Sequence, residues 1–138
     1  VIQRKRSELK YRTLIDQMSE GVVIAQGDPP RLLFANPAMQ TITGYPAETL
    51  TALPPESVVN LVHPEDAERI RVAVQRGLDP AGDGLWEEVF RIVLRDGSIR
   101  WVKARSQTFF DSKDETAHLV RTAGATQDIS EEIQAKYA

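Results

Sequence analysis

His63 is the residue best placed for metal chemistry. Its imidazole can ligate haem iron or another metal, and Glu65 and Asp66 follow closely enough to add carboxylates to a divalent site. The set lacks a second histidine nearby; His118 opens a later strand beside a polar turn. Pro64 follows His63 directly, so a helix cap is the competing role. A second group is Trp101, Lys103 and Arg105, spaced at strand period two. If the indole faces a pocket, the two cations face it too and can bind a carboxylate; otherwise they form a solvated strand face. Glu88 is the nearest candidate for a buried catalytic carboxylate, provided its strand turns it inward with Phe90. No partner acid or base stands beside it, since Glu87 points to the opposite face. The serines lack a histidine and an acid in a convincing order. The chain contains no cysteine, which excludes disulfides, thiolate metal sites and a cysteine nucleophile, and fits a reducing compartment.

These residues sit in a chain of 138 residues, enough for one domain with a real core. The hydrophobic share of 41% and charged share of 27% are ordinary for a globular protein. The formal net charge of -3 argues against a nucleic-acid partner, because such domains are usually basic. No apolar run reaches the length of a membrane span, and no signal-peptide pattern opens the chain. Val1 in place of an initiating methionine points to a piece of a longer protein.

The elements that must position the candidates follow from spacing. Tyr11, Leu14, Ile15 and Met18 predict a helix over residues 1–19, with Arg4, Lys5, Arg6, Lys10 and Arg12 on its solvated side. Its apolar stripe is narrow and needs a partner surface, either the domain's own sheet or a second subunit. Val22 to Ala25 and Leu32 to Ala35 read as a hairpin. Asn36-Pro37 opens a helix that Gly44 closes. His63-Pro64-Glu65-Asp66 opens another, with acids where the helix dipole favours them. Leu85 to Arg95 and Ile99 to Phe110 are strands joined at Asp96-Gly97, a pair suited to a primed two-residue turn. Ala117 to Thr126 is the last strand. Asp128 and Glu131 have capping-box spacing for a final helix, and Asp128 can also contact a basic residue of the sheet.

The order of these pieces resembles the PAS domain family of sensory modules. The likeness rests on Asn36-Pro37-Ala38, Thr43-Gly44-Tyr45, His63-Pro64, Phe90-Arg91-Ile92, Asp96-Gly97, Ile99-Arg100-Trp101-Val102, Gly124 and Asp128-Ile129-Ser130. It covers about residues 20 to 130, and the order and spacing carry it more than any single motif. The resemblance implies an α+β fold: a five-stranded antiparallel sheet with short helices on one face. Residues 1–19 become an N-terminal flanking helix, 20–127 the sensory domain and 128–138 the start of a C-terminal signalling helix.

The same resemblance implies a pocket between sheet and helices. Its expected wall is Phe34, Met39, Ile42, Val62, Ile70, Val74, Phe90, Ile92, Trp101, Lys103, Arg105 and Val120; the competing reading is a filled core. The implied relay is Asp128-Ile129-Ser130, with Ser130 where many relatives have threonine. Covalent flavin and thioester-linked chromophores need a cysteine and are excluded. Non-covalent flavin stacked on Trp101 or Phe90, haem held by His63, and no cofactor remain open; no Gly-rich phosphate loop supports a nucleotide tail. The resemblance further implies a homodimer formed through the flanking helices and an effector linked in the same chain, a histidine kinase or another signalling enzyme. It places the domain in the cytoplasm, with a parent that can be membrane-associated. Rival readings are a ligand-free interaction module and a small α+β enzyme built on Glu88.

Overall fold

A computed structural model of the protein describes residues 10–11, 13–27, 30–53, 60–112 and 119–137. Residues 10, 11 and 13–17 are helical; the rest of the helix expected over 1–19 lies outside the described residues up to residue 9 and at residue 12. Strands β1 (Gly21–Gln26) and β2 (Arg31–Ala35) form the first hairpin. Two short helices follow, α1 (Pro37–Thr43) and α2 (Ala47–Ala52), and then the long α3 (Pro64–Gly77). Strands β3 (Leu85–Val93), β4 (Ile99–Phe110) and β5 (Leu119–Asp128) complete the sheet, and α4 (Ser130–Tyr137) leaves it. The sheet is antiparallel in the order β2-β1-β5-β4-β3, so the last strand lies at its centre beside the first.

Asn36 explains how the N-terminal half is held. It is 0% exposed and uses its whole side chain. Its Oδ1 accepts from the amides of Val22 at 2.8 Å and Met39 at 3.1 Å. Its Nδ2 donates to the carbonyls of Ile15 and Glu20, both at 3.0 Å. One residue thus caps α1, joins β1 and fastens the chain entering it. Pro37 at the first helical position and Gly44 in the left-handed region (φ 77°) set the limits of α1 as the sequence predicts.

α1 and α3 cover one face of the sheet. Ile42, Val62, Ile70, Phe90, Ile92, Leu94, Val102 and Ala104 form one buried cluster there, with Val74 and Trp86 packed against it. α3 approaches β3 closely at Gly77, where a Cβ would stand 2.5 Å from Trp86 Cδ1. Trp86 therefore belongs to the covered face.

The β3–β4 turn departs from the primed form expected at Asp96-Gly97. Among the described residues only glycines have positive φ, and Gly97 (φ 88°) is the one in this turn. Leu94 N–H bonds Ser98 O at 2.8 Å and Gly97 N–H bonds Leu94 O at 2.9 Å, closing a loop over Arg95, Asp96 and Gly97. A two-residue turn would pair Ile92 with Trp101. The longer loop pairs Arg91 with Trp101 and Phe90 with Val102. That shift of one residue turns every side chain of β4 to the other face.

Asn36→Asp tests the hub. A carboxylate still caps α1 but cannot donate to Ile15 O and Glu20 O. Asn36→Asp and Asn36→Ala should both lower stability by about 2–4 kcal/mol in urea unfolding. If Asp restores the wild-type midpoint, the residue is only a helix cap.

Candidate functional site

Between α1, α3 and the sheet lies a cavity of about 180 Å³. Met39, Val62, Ile70, Val74, Phe90 and Ile92 line it, all of them on the expected wall. Ile42 is buried in the adjoining core, 5% exposed. The cavity exists because its floor is made of small residues. Ala104 faces Thr126, and Ser106 faces Gly124, across the β4–β5 pairing. Gly124 is tightly packed toward β1, where a Cβ would stand 3.1 Å from Val23 Cγ2 and push that side chain aside. Trp86 and Val102 complete the walls beside them.

Three expected wall residues lie elsewhere. Trp101 and Lys103 occupy the face opposite Val102 and Ala104, as the β3–β4 register requires. Arg105 touches the cavity edge, but its guanidinium is 62% exposed and pairs with Glu20 at 3.1 Å. Lys103 pairs with Glu87 at 3.0 Å on that outer face. Strand parity therefore does not bring Trp101, Lys103 and Arg105 together on the cavity side. Phe34 is paired with Ile24, while Leu32 is paired with Ala25; Leu33 is the extra residue between them. This bulge sends Phe34 to the outer face and leaves Leu32 to line the cavity. The side chain of Val120 lies outside the described residues.

Ala104, Ser106, Gly124, Thr126 and Trp86 were not on the expected wall. Their signal was present: Trp86 shares parity with Phe90 and Ile92, and small residues recur at period two in both partner strands.

His63 caps α3. Its Nδ1 accepts from the Glu65 amide at 3.1 Å, and its backbone amide bonds Arg91 O at 2.9 Å. It is not among the cavity-lining residues. No cluster of three His, Asp or Glu side chains suited to a metal ion occurs among the described residues. Glu88 pairs with Arg69 at 2.8 Å and is partly exposed.

Among the described residues, Asp66 is the one charged side chain buried in the core, 7% exposed. Its carboxylate accepts from the Arg91 backbone amide at 2.9 Å, from Arg91 Nε at 3.0 Å and from Arg91 NH2 at 2.9 Å. The Arg91 side-chain hydrogen bond outweighs burial and holds the Asp66 carboxyl down at about 2, from an ordinary 3.8. The same contact raises the Arg91 guanidinium. Arg91 also reaches Glu65 at 3.0 Å and lies over the Trp101 ring, 5.3 Å from its centroid.

The exit of the chain meets this network. Trp101 N–H bonds Ser130 Oγ at 3.0 Å, and Ile129 N–H bonds Trp101 O at 2.9 Å. Asp128 Oδ1 accepts from the Ser130 amide at 2.9 Å, and its other oxygen lies 3.9 Å from Arg100 Nε. Arg100 in turn donates to the Ile42 carbonyl at 2.8 Å, near the end of α1. Contacts thus run from α3 through Asp66, Arg91 and Trp101 to Ser130, and from α1 through Arg100 to Asp128. The outer face of the sheet has a second, open hollow of about 600 Å³ lined by Val22, Leu85, Ala123 and Ala125.

A family model described as the PAS fold matches residues 32–123, two thirds of the chain. The chain belongs to the PAS-fold family. It is 27% identical over 130 residues to the sensor histidine kinase TmoS of Ectopseudomonas mendocina. The match spans 94% of this chain and 12% of that kinase, so the chain corresponds to a small part of its length. The PAS domain of a protein from Colwellia psychrerythraea superposes with a TM-score of 0.70 at 22% identity, covering 95% of this chain and 99% of that one. A sensory box histidine kinase/response regulator from Burkholderia thailandensis E264 gives a TM-score of 0.65 at 20% identity, covering 92% and 89%. At these identities the structural matches show the fold. No helix among the described residues is long and apolar enough to cross a membrane.

The depressed Asp66 value has a sign. The folded carboxyl titrates near 2 and the unfolded one near 3.8, so the pair stabilises the fold above about pH 4 and is lost as pH falls towards 2. Asp66→Asn should cost about 1–2 kcal/mol at neutral pH, allowing for solvent screening. The two proteins should converge near pH 2. Urea titrations at neutral and acidic pH check this; a gap independent of pH would assign the loss to packing.

Proposed function

We propose that this domain senses a small molecule in the cavity, dimerises through its flanking helices and relays the change through Asp128-Ile129-Ser130. One observation carries the reading: the helix that walls the cavity, α3, is tied through Asp66, Arg91 and Trp101 to the first residues of the exit helix. A shift of α3 that accommodates a ligand changes the Arg91 contact, and Trp101 is the strand residue that holds Ser130 and Ile129. In this reading the sensory domain is residues 20–127, residues 128–138 begin the signalling helix, and residues 1–19 are the N-terminal flank.

The cavity sets the class of ligand. Its volume of about 180 Å³ is below the roughly 300–1,000 Å³ of pockets that enclose drug-sized molecules. It is close to the roughly 150 Å³ apolar cavity that holds benzene in an engineered protein. The volume supports an apolar occupant of about one ring and disfavours flavin or haem, whether stacked on Phe90 or held by His63.

Dimerisation is supported by Tyr11 and Leu14 on the N-terminal helical residues and Met18 just after them, which are 66%, 54% and 41% exposed. An apolar stripe left in water calls for a partner. The effector lies outside the chain and is a histidine kinase, a reading supported by the kinase of which a matching part is 12%. Catalysis belongs to that effector, and the domain works in the cytoplasm. An interaction module without ligand is the second reading; a cavity with a ligand-sized volume weighs against it.

Toluene is a suitable probe of the cavity. It should raise the melting temperature of the purified protein in proportion to its occupancy. Ala104→Leu, which fills the floor, should raise stability by about 0.5–2 kcal/mol and abolish the toluene response. Sedimentation should give a dimer that Leu14→Glu converts to monomer. No response in wild type to either toluene or its hydroxyl analogue phenol overturns the sensor reading, and a wild-type monomer overturns the dimer.

A further inference from the structure

The cavity is not uniformly apolar, and the exception is informative. Ser106 is 8% exposed and sits on the cavity floor, opposite Gly124. Its hydroxyl has no hydrogen-bond partner among the described residues. The other buried hydroxyls are engaged. Thr43 donates to Met39 O at 2.8 Å and accepts from the Tyr45 amide at 3.2 Å. Thr108 and Thr122 share a hydrogen bond of 3.1 Å. No buried polar side-chain atom sealed from all free space is left unpaired. Ser106 also borders the open hollow of the outer face, but it shares the inward parity of buried Val102 and Ala104, which directs its hydroxyl to the cavity.

Burying a hydroxyl without a partner is unfavourable, so natural interiors pair nearly all of them. Here the neighbours cannot supply the partner. Ala104 and Gly124 have no polar side-chain atom; the walls beyond are mostly apolar, the Thr43 hydroxyl is engaged elsewhere, and Arg105 at the edge pairs with Glu20. Thr126 stands one inward position away on β5, across from Ala104. Ser106 is thus one of the few polar groups on a mostly apolar surface, the arrangement that fixes the orientation of a small ligand.

We propose that the cavity selects a one-ring molecule carrying a single hydroxyl or carbonyl, and that Ser106 is the group that recognises it. This inference rests on the reading of the cavity as a ligand site. A ring fills the space between Phe90, Ile70 and Val74, and its polar atom meets the Ser106 hydroxyl, which can donate or accept. A hydrocarbon of the same shape strips the hydroxyl of water and returns nothing. A site built to bond a polar group discriminates against the analogue lacking it for this reason. The selection therefore lies in the floor of the sheet, where a serine stands among alanine and glycine.

Phenol and toluene have nearly the same shape and differ in the hydroxyl, which makes them the probes. Calorimetric titration of each into wild type and Ser106→Ala gives four affinities. Wild type should hold phenol at least as tightly as toluene, although phenol is the better hydrated in water. Ser106→Ala should lose about tenfold for phenol and keep its toluene affinity, which also shows that the variant is folded. If phenol and toluene affinities change together in Ser106→Ala, or if wild type binds toluene and not phenol, Ser106 does not select the ligand and the cavity remains a ligand site. If wild type binds neither, the ligand-site reading fails and this inference fails with it.

Discussion

The buried side chain of Asn36 is the constraint on which the N-terminal half depends. An amide has two acceptor and two donor positions to fill, and burial makes each vacancy costly. Asn36 fills them with the amides of Val22 and Met39 and the carbonyls of Ile15 and Glu20. Those four partners come from the entering helical residues, β1 and α1. Their relative positions are therefore fixed by one residue. Met39 and Val23, both on the cavity wall, take their places from this junction.

A second anchor fixes the opposite wall. Asp66 at the start of α3 holds Arg91 on β3, and the two are far from equivalent to the surface pairs. Arg71–Glu68 and Lys103–Glu87 join solvent-exposed side chains, where screening leaves little net stabilisation. Asp66 is buried and also accepts the backbone amide of Arg91, so its loss leaves a strand donor unpaired. Between these two anchors the helices cannot simply collapse onto the sheet. Small residues on β4 and β5 then leave a gap that the rigid frame keeps open.

The outer face of the sheet serves a different end. Trp101 carries Arg91 on its ring and the exit of the chain on its backbone. Had Trp101 turned inward, it would have occupied the gap above Ala104 and left the exit helix without that tie to α3. The same parity that opens the cavity thus connects it to the C-terminal exit helix.

Much of this was legible in the sequence. Asn-Pro before α1, His-Pro before α3, Gly44 at a helix end and alternating apolar residues in β3 are local signals read by local physics. They gave the element order, the antiparallel sheet and six of the cavity-lining residues: Met39, Val62, Ile70, Val74, Phe90 and Ile92. What failed was register. Asp96-Gly97 fits both a two-residue and a three-residue loop, and a strand pattern is unchanged when its partner slides by one. The bulge at Leu33 is equally silent in sequence. The sequence by itself determined which segments are strands and helices, because that depends on neighbours along the chain. Only the tertiary structure decided which face of β4 and of β2 meets the helices, because that depends on hydrogen bonds across strands, where a slip of one residue exchanges Val102, Ala104 and Ser106 for Trp101, Lys103 and Arg105.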